Sequence, residues 1–99
     1  MDERLKQLLY DIRSLFSDAK IYLFGSRAKG TAHEYSDYDL IIISKDFKKT
    51  DFVDRGGIIW RHSDAPIGAD LLCYTPEEFK RVSKTSIILK DAMKHAVML

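Results

Sequence analysis

Cysteine is almost missing from this chain. Cys73 stands alone, so no internal disulfide can form, and its expected role is that of a small buried hydrophobe. Long apolar runs are missing too: nothing approaches the roughly 18 consecutive apolar residues of a membrane span. The opening MDERLKQLLY lacks the apolar core of a secretion signal. A reduced, cytoplasmic setting without a membrane is therefore expected. Nor is there an excess of one charge. Sixteen Lys and Arg against fifteen Asp and Glu leave a formal charge of +1, so no basic field gathers nucleic acid in bulk. The 99 residues contain no internal repeat, low-complexity tract or linker. They predict one domain, 1–99, with a modest core and little room for a separate lid.

What is present is a helix and strand alternation. Leu5, Leu8, Leu9, Ile12, Leu15 and Phe16 recur at helical spacing behind Asp2, predicting an amphipathic helix over 2–17. KIYLF, 20–24, stops at Gly25 and reads as a strand. YDLIIIS, 38–44, is apolar at consecutive positions, as a central strand buried on both faces would be. Between them SRAKGTAHEYS has turn composition, with space for one helical turn. FVDRGGIIWRHS predicts a further helix in spite of Gly56 and Gly57, which together cost about 2 kcal/mol relative to alanine. IGADLLCY predicts a third strand over 69–74. TPEEF then starts a helix, with Thr75 as cap, Pro76 in the first turn and Glu78 closing a capping box. A last stripe, Ile88, Leu89, Ala92, Met93, Ala96 and Val97, reads as helix to the C-terminus, separated from the previous one near Ser83 to Ser86. The sum is an α/β (α+β) domain: a small mixed three-stranded sheet flanked by helices.

The chemistry concentrates in FGSRAKGTAHEYSDYDLIII. On a strand, residues i and i+2 share a face, so Asp37 and Asp39 stand together at the mouth of the second strand. Two such carboxylates repel, and a hard divalent cation relieves the repulsion; oxygen donors suit Mg²⁺, which takes one or two carboxylates plus substrate phosphate oxygens. Asp70 opens the third strand and is expected at the same end of the sheet. Gly25 lets backbone amides approach a phosphate, Ser26 adds a hydroxyl, and a helical turn opening at 27 points its positive end the same way. Arg27 and Lys29 on that turn can meet remaining phosphate charge. Two Mg²⁺ ions on shared carboxylates would orient a triphosphate and activate an attacking hydroxyl. The class implied is transfer of a nucleoside monophosphate from a nucleoside triphosphate.

The string Gly25-Ser26, ten residues, Asp37-x-Asp39 resembles the signature of the DNA polymerase β-like nucleotidyltransferase superfamily. It looks in particular like the minimal nucleotidyltransferase (MNT) domain of prokaryotic HEPN/MNT toxin-antitoxin pairs, over residues 20–74. The resemblance implies that Gly25 and Ser26 hold nucleotide phosphates, that Asp37 and Asp39 bind two Mg²⁺, and that Asp70 is the third carboxylate. It also implies an antitoxin that binds a helical HEPN toxin and moves AMP from ATP to a tyrosine on it.

Competing motifs fail on particular residues. Gly25 to Gly30 has P-loop spacing but lacks the lysine and the Ser/Thr at their places, since Thr31 follows Gly30 directly. An EF-hand fails at Ile41. Arg55 and His62 imitate the spacing of HEPN ribonucleases, yet the surrounding chain has strands and a Gly-Gly pair. His33, His62 and His95 share no metal-ligand spacing, and Trp60 reads as core or interface before base stacking. A different class remains open: a module that neutralises its partner by contact alone. The apolar C-terminal stripe would serve it, or would pair the chain in a homodimer or hetero-oligomer.

Overall fold

The computed structural model describes residues 1–30 and 37–99; His33, Thr31 and the remainder of 31–36 lie outside them. In chain order the elements are α1 (Glu3–Leu15), β1 (Lys20–Phe24), α2 (Ser26–Lys29), β2 (Tyr38–Ile43), a 3-10 turn (Lys45–Lys49), α3 (Phe52–His62), β3 (Ala69–Tyr74), α4 (Pro76–Thr85), α5 (Ile87–Met93) and β4 (Val97–Met98). Sheet order is β3-β2-β1-β4. β2 runs antiparallel to β1 and parallel to β3. The parallel pair needs a crossover, and α3 supplies it.

Alternation along β2 decides which side each residue serves. Tyr38, Leu40 and Ile42 face α1 and α3, in a core with Leu5, Leu8, Leu9, Ile12, Phe16, Ile21, Phe47, Ile59 and Cys73. Ile41 and Ile43 face α4 and α5, among Leu89, Tyr22, Leu72, Phe79 and Met93. Asp39 has the parity of this second side, and so do its strand neighbours Phe24 and Asp70. The consecutive apolar run in β2 is thus explained by helices on both faces.

α1 begins where Asp2 accepts a hydrogen bond from the Arg4 amide at 2.8 Å. The capping box at Thr75 and Glu78 forms as the sequence predicts. Ser86 separates α4 from α5: its amide closes α4 on Val82 O at 2.8 Å, and its hydroxyl accepts from the Leu89 amide at 3.2 Å. Cys73 is buried, and burial pushes its thiol up to about 12. Trp60 does not join the core; it lies exposed on α3.

One arginine holds the far end of the sheet together. Arg55, only 4% exposed, donates to Thr50 O at 2.9 Å, to Cys73 O at 3.0 Å, and with two nitrogens to the Glu78 carboxylate at 2.5 and 3.2 Å. This bond set offsets the glycine pair that follows, because a buried cation with satisfied donors fixes α3 against β3 and α4.

The C-terminus differs from the sequence expectation. The apolar stripe does not stay helical to the end: α5 stops at Met93, and Val97 and Met98 pair with Leu23 and Tyr22 as a fourth strand. The Leu99 amide adds a bond to Ile21 O at 2.9 Å. The outer edge of β1 would otherwise present unpaired backbone groups, and satisfying them outweighs two more residues of helix. The sheet has four strands where three were expected, within the same fold class.

Candidate active site

β1 ends at Phe24, which pairs with Asp39, and the chain then turns at Gly25 with φ 73° and ψ −154°. That conformation is open to glycine and strained for every other residue. A side chain there would also strike the Asp39 carboxylate, which lies directly against the Gly25 backbone. Glycine is therefore required twice at one position. The turn continues into α2, where Ala28 and Lys29 amides both reach Gly25 O at 3.1 Å, and Gly30 closes it in the left-handed conformation at φ 77°.

On the other side of β2 the parallel register sets Asp39 beside Asp70. The two carboxyls are close enough for the Asp70 charge to act on Asp39. Asp37 sits just before the strand, exposed, with its carboxylate against the backbone of Gly68, and Gly68 O accepts the Tyr38 amide at 3.1 Å. Burial raises the Asp39 carboxyl above the ordinary carboxylate range, and the Asp70 and Asp37 charges raise it further. Asp39 and Asp70 thus stand side by side at one end of the sheet, with Asp37 near enough for its charge to act on Asp39. Ser26 is half-buried at the start of α2 and Lys29 exposed near its end. Arg27 lies over the ring of Tyr38, its guanidinium carbon 4.4 Å from the centroid.

Do these residues fit a divalent cation? The donor set is three carboxylates, the hard oxygen ligands that Mg²⁺ prefers, and their mutual repulsion on Asp39 is what a cation would relieve. Among the described residues they do not form a ready-made group of three metal ligands; the register pair Asp39–Asp70 is their close part. A cleft of about 390 Å³ lined by Asp18, Lys20, Tyr22, Ile43, Pro76 and Phe79 opens elsewhere on the fold. Its one carboxylate already accepts from Ser44 and the Lys45 amide, so it does not compete as a cation site.

The family model for the nucleotidyltransferase domain matches residues 5–95. The chain belongs to that family, and it is an enzyme of the nucleotidyl-transfer class. A Haemophilus influenzae protein named "Probable protein adenylyltransferase MntA" is 35% identical over 88 residues, covering 84% of this chain and 75% of that protein. A Methanocaldococcus jannaschii protein carrying the name "Putative protein adenylyltransferase" is 45% identical over 56 residues, 50% of this chain and 38% of its own length. A crystal structure of a "putative nucleotidyltransferase" from Sulfolobus solfataricus superposes with a TM-score of 0.67 at 25% identity, covering 97% of this chain and 76% of that one. No helix among the described residues is long and apolar enough to cross a membrane.

Two features of the site escape the sequence reading. Gly68, two residues before Asp70, makes room for the Asp37 carboxylate, and Tyr38, between the two aspartates, carries Arg27. The first had a visible signal in the Ile-Gly-Ala-Asp run of 67–70. The two glycines predict different outcomes on substitution. Gly25→Ala is expected to cost about 1–3 kcal/mol from backbone strain alone and to displace Asp39. Gly68→Ala, which meets only the movable end of Asp37, is expected to leave the melting temperature nearly unchanged while weakening Mg²⁺-dependent nucleotide binding. Thermal denaturation and calorimetric titration of the two variants check both.

Proposed function

We propose that the 99 residues act as one minimal nucleotidyltransferase domain that moves AMP from ATP to a hydroxyl carried by another molecule. The acceptor we favour is a tyrosine of a partner HEPN toxin, with this chain as the antitoxin in a cytoplasmic pair. The observation that carries the reading is the pairing of Asp39 with Asp70 beside the Gly25 turn, with the charge of Asp37 acting on Asp39. The relatives named as adenylyltransferases support AMP as the transferred group, and the MNT resemblance supports the toxin as acceptor.

In this reading Asp37, Asp39 and Asp70 would hold two Mg²⁺. When bound, the metal supplies charge stabilisation at the triphosphate and a lowered pKa for the attacking hydroxyl. The chain's own contribution is placement. Gly25 and Ser26 present an amide and a hydroxyl to the phosphates, Lys29 adds cationic charge at the rim, and the register of β3 on β2 sets Asp70 beside Asp39. The acceptor hydroxyl would pass its proton to Asp70 as its oxygen attacks the α-phosphorus, the bond from that phosphorus to the bridging oxygen breaks, and pyrophosphate leaves.

The test uses ATP labelled separately at the α and γ positions, with Mg²⁺ and the product of the neighbouring gene. Label is expected on the partner from the α position only. Label from the γ position would make the chain a kinase, and label from neither would remove the transfer to this partner. A second reading, neutralisation by contact alone, is favoured by one observation: Ile87 and Ile88 on α5 are each 84% exposed. It predicts that a transfer-dead variant still neutralises the partner.

A further inference from the structure

Helix α2 has four residues, too few to hold its own position, since a single turn of helix is unfavourable in isolation. Yet it carries Gly25 and Ser26 at its start, and their distance from Asp39 decides whether one nucleotide can touch both. One contact that reaches from α2 to the neighbouring strand is Arg27 on Tyr38, 4.4 Å from guanidinium to ring centroid. Tyr38 is an unusual support because it is itself fixed at both ends. Its ring is 8% exposed in the core under α1. Its hydroxyl donates to Asp2 Oδ2 at 3.2 Å, and its amide donates to Gly68 O at 3.1 Å. Asp2 is held in turn by the Arg4 amide and guanidinium, both at 2.8 Å, and Arg4 Nη1 extends to Pro66 O at 3.5 Å, in the segment that leads to Gly68.

The parity of β2 gives this a consequence. Tyr38 faces α1, whereas Asp39 belongs to the opposite face. Arg27 therefore stacks on the side of the strand away from the carboxylate pair, and the same strand presents the stacking platform on one face and Asp39 on the other. A planar guanidinium on an aromatic face also has a preferred plane, which a lysine ammonium lacks.

We propose that Arg27 and Tyr38 are positioning residues that work as one brace: the guanidinium on the ring, with the ring tethered to Asp2, sets the Gly25–Ser26 turn at its working distance from Asp37 and Asp39. The role rests on the reading of that turn as a nucleotide phosphate cradle. Asp2 and Arg4 then belong to the same brace, so the first turn of α1 supports the site without touching it.

The experiment compares wild type with Arg27→Ala, Tyr38→Leu, the double variant and Tyr38→Phe, by backbone hydrogen exchange at 28–30 and by calorimetric titration with ATP and Mg²⁺. Arg27→Ala and Tyr38→Leu are each expected to speed exchange at Ala28 to Gly30 and to weaken ATP binding about tenfold, from the loss of a desolvated cation–π contact. The double variant is expected to be no worse than the weaker single one, because both remove the same brace. Tyr38→Phe keeps the ring but loses the tether to Asp2, and is expected to fall between wild type and Tyr38→Leu. Exchange in α1 and β2 separates this from general loosening, and Arg27→Ala, which removes no core atoms, keeps the test valid if Tyr38→Leu folds poorly. Unchanged exchange at 28–30 in Arg27→Ala, or losses that add in the double variant, would overturn the brace. If wild type binds no ATP, the nucleotide reading fails while the exchange comparison still decides the brace.

Discussion

Replacing Asp37 and Asp39 together by asparagine is expected to lower nucleotide transfer by at least about 1,000-fold, the scale on which loss of transition-state charge stabilisation is felt. The protein should survive the change and gain from it. Asp39 is held above its ordinary pKa by burial and by its acidic neighbours. A carboxyl whose folded pKa is raised stabilises the fold below its unfolded pKa, and that contribution is lost as pH rises through the folded value. At neutral pH without divalent cation the ionised group is thus a net cost, which the amide removes. The double variant is expected to melt at a higher temperature than wild type in EDTA, and the difference should shrink when Mg²⁺ is added to both. A fall in melting temperature in EDTA would mean that the carboxylates are structural.

Glu78→Ala is expected to have the largest effect on stability, about 2–4 kcal/mol, because it leaves the Arg55 cation buried without its carboxylate and opens the capping box of α4. Chemical denaturation measures it directly. Acid gives an independent check. The hydrogen bonds from Arg55, then from the Thr75 amide, hold the Glu78 carboxyl at about 2, down from 4.5. A depressed carboxyl contributes stability that is full above its unfolded pKa and is lost as pH falls through the folded one. Wild type should therefore lose stability between about pH 4.5 and pH 2, and Glu78→Gln should show a flatter profile over that window. Parallel profiles for the two proteins would contradict the assigned role of the pair.

The parts of this site that were legible in the sequence are those fixed by local geometry. Gly25, Ser26, Asp37 and Asp39 lie within fifteen residues, and the two-residue period of a strand is enough to put both aspartates on one face. Asp70 was legible because an apolar run opened by an acid reads as a strand, and a parallel neighbour of β2 brings its start level with Asp39. Long-range choices were not legible. The pairing of Val97 and Met98 with β1 depends on which edge lacks a partner, a property of the assembled sheet. The seat of Arg27 on Tyr38 depends on where a four-residue helix comes to rest. The structural role of Arg55, whose spacing to His62 only imitates the HEPN pattern, depends on β3 and α4, which supply its acceptors.

Calorimetric titration of ATP into the protein with and without Mg²⁺, in wild type and in Asp70→Asn, tests the joint action of the three carboxylates most directly. Asp70 is separated in sequence from the other two and is joined to them only by the register of β3 on β2. Mg²⁺ is predicted to strengthen ATP binding in wild type, and Asp70→Asn to abolish most of that enhancement while leaving the metal-free affinity no weaker, since one repelling charge is removed. An Asp70→Asn protein with the full Mg²⁺ enhancement would show that the third carboxylate takes no part, and would contradict the site as built.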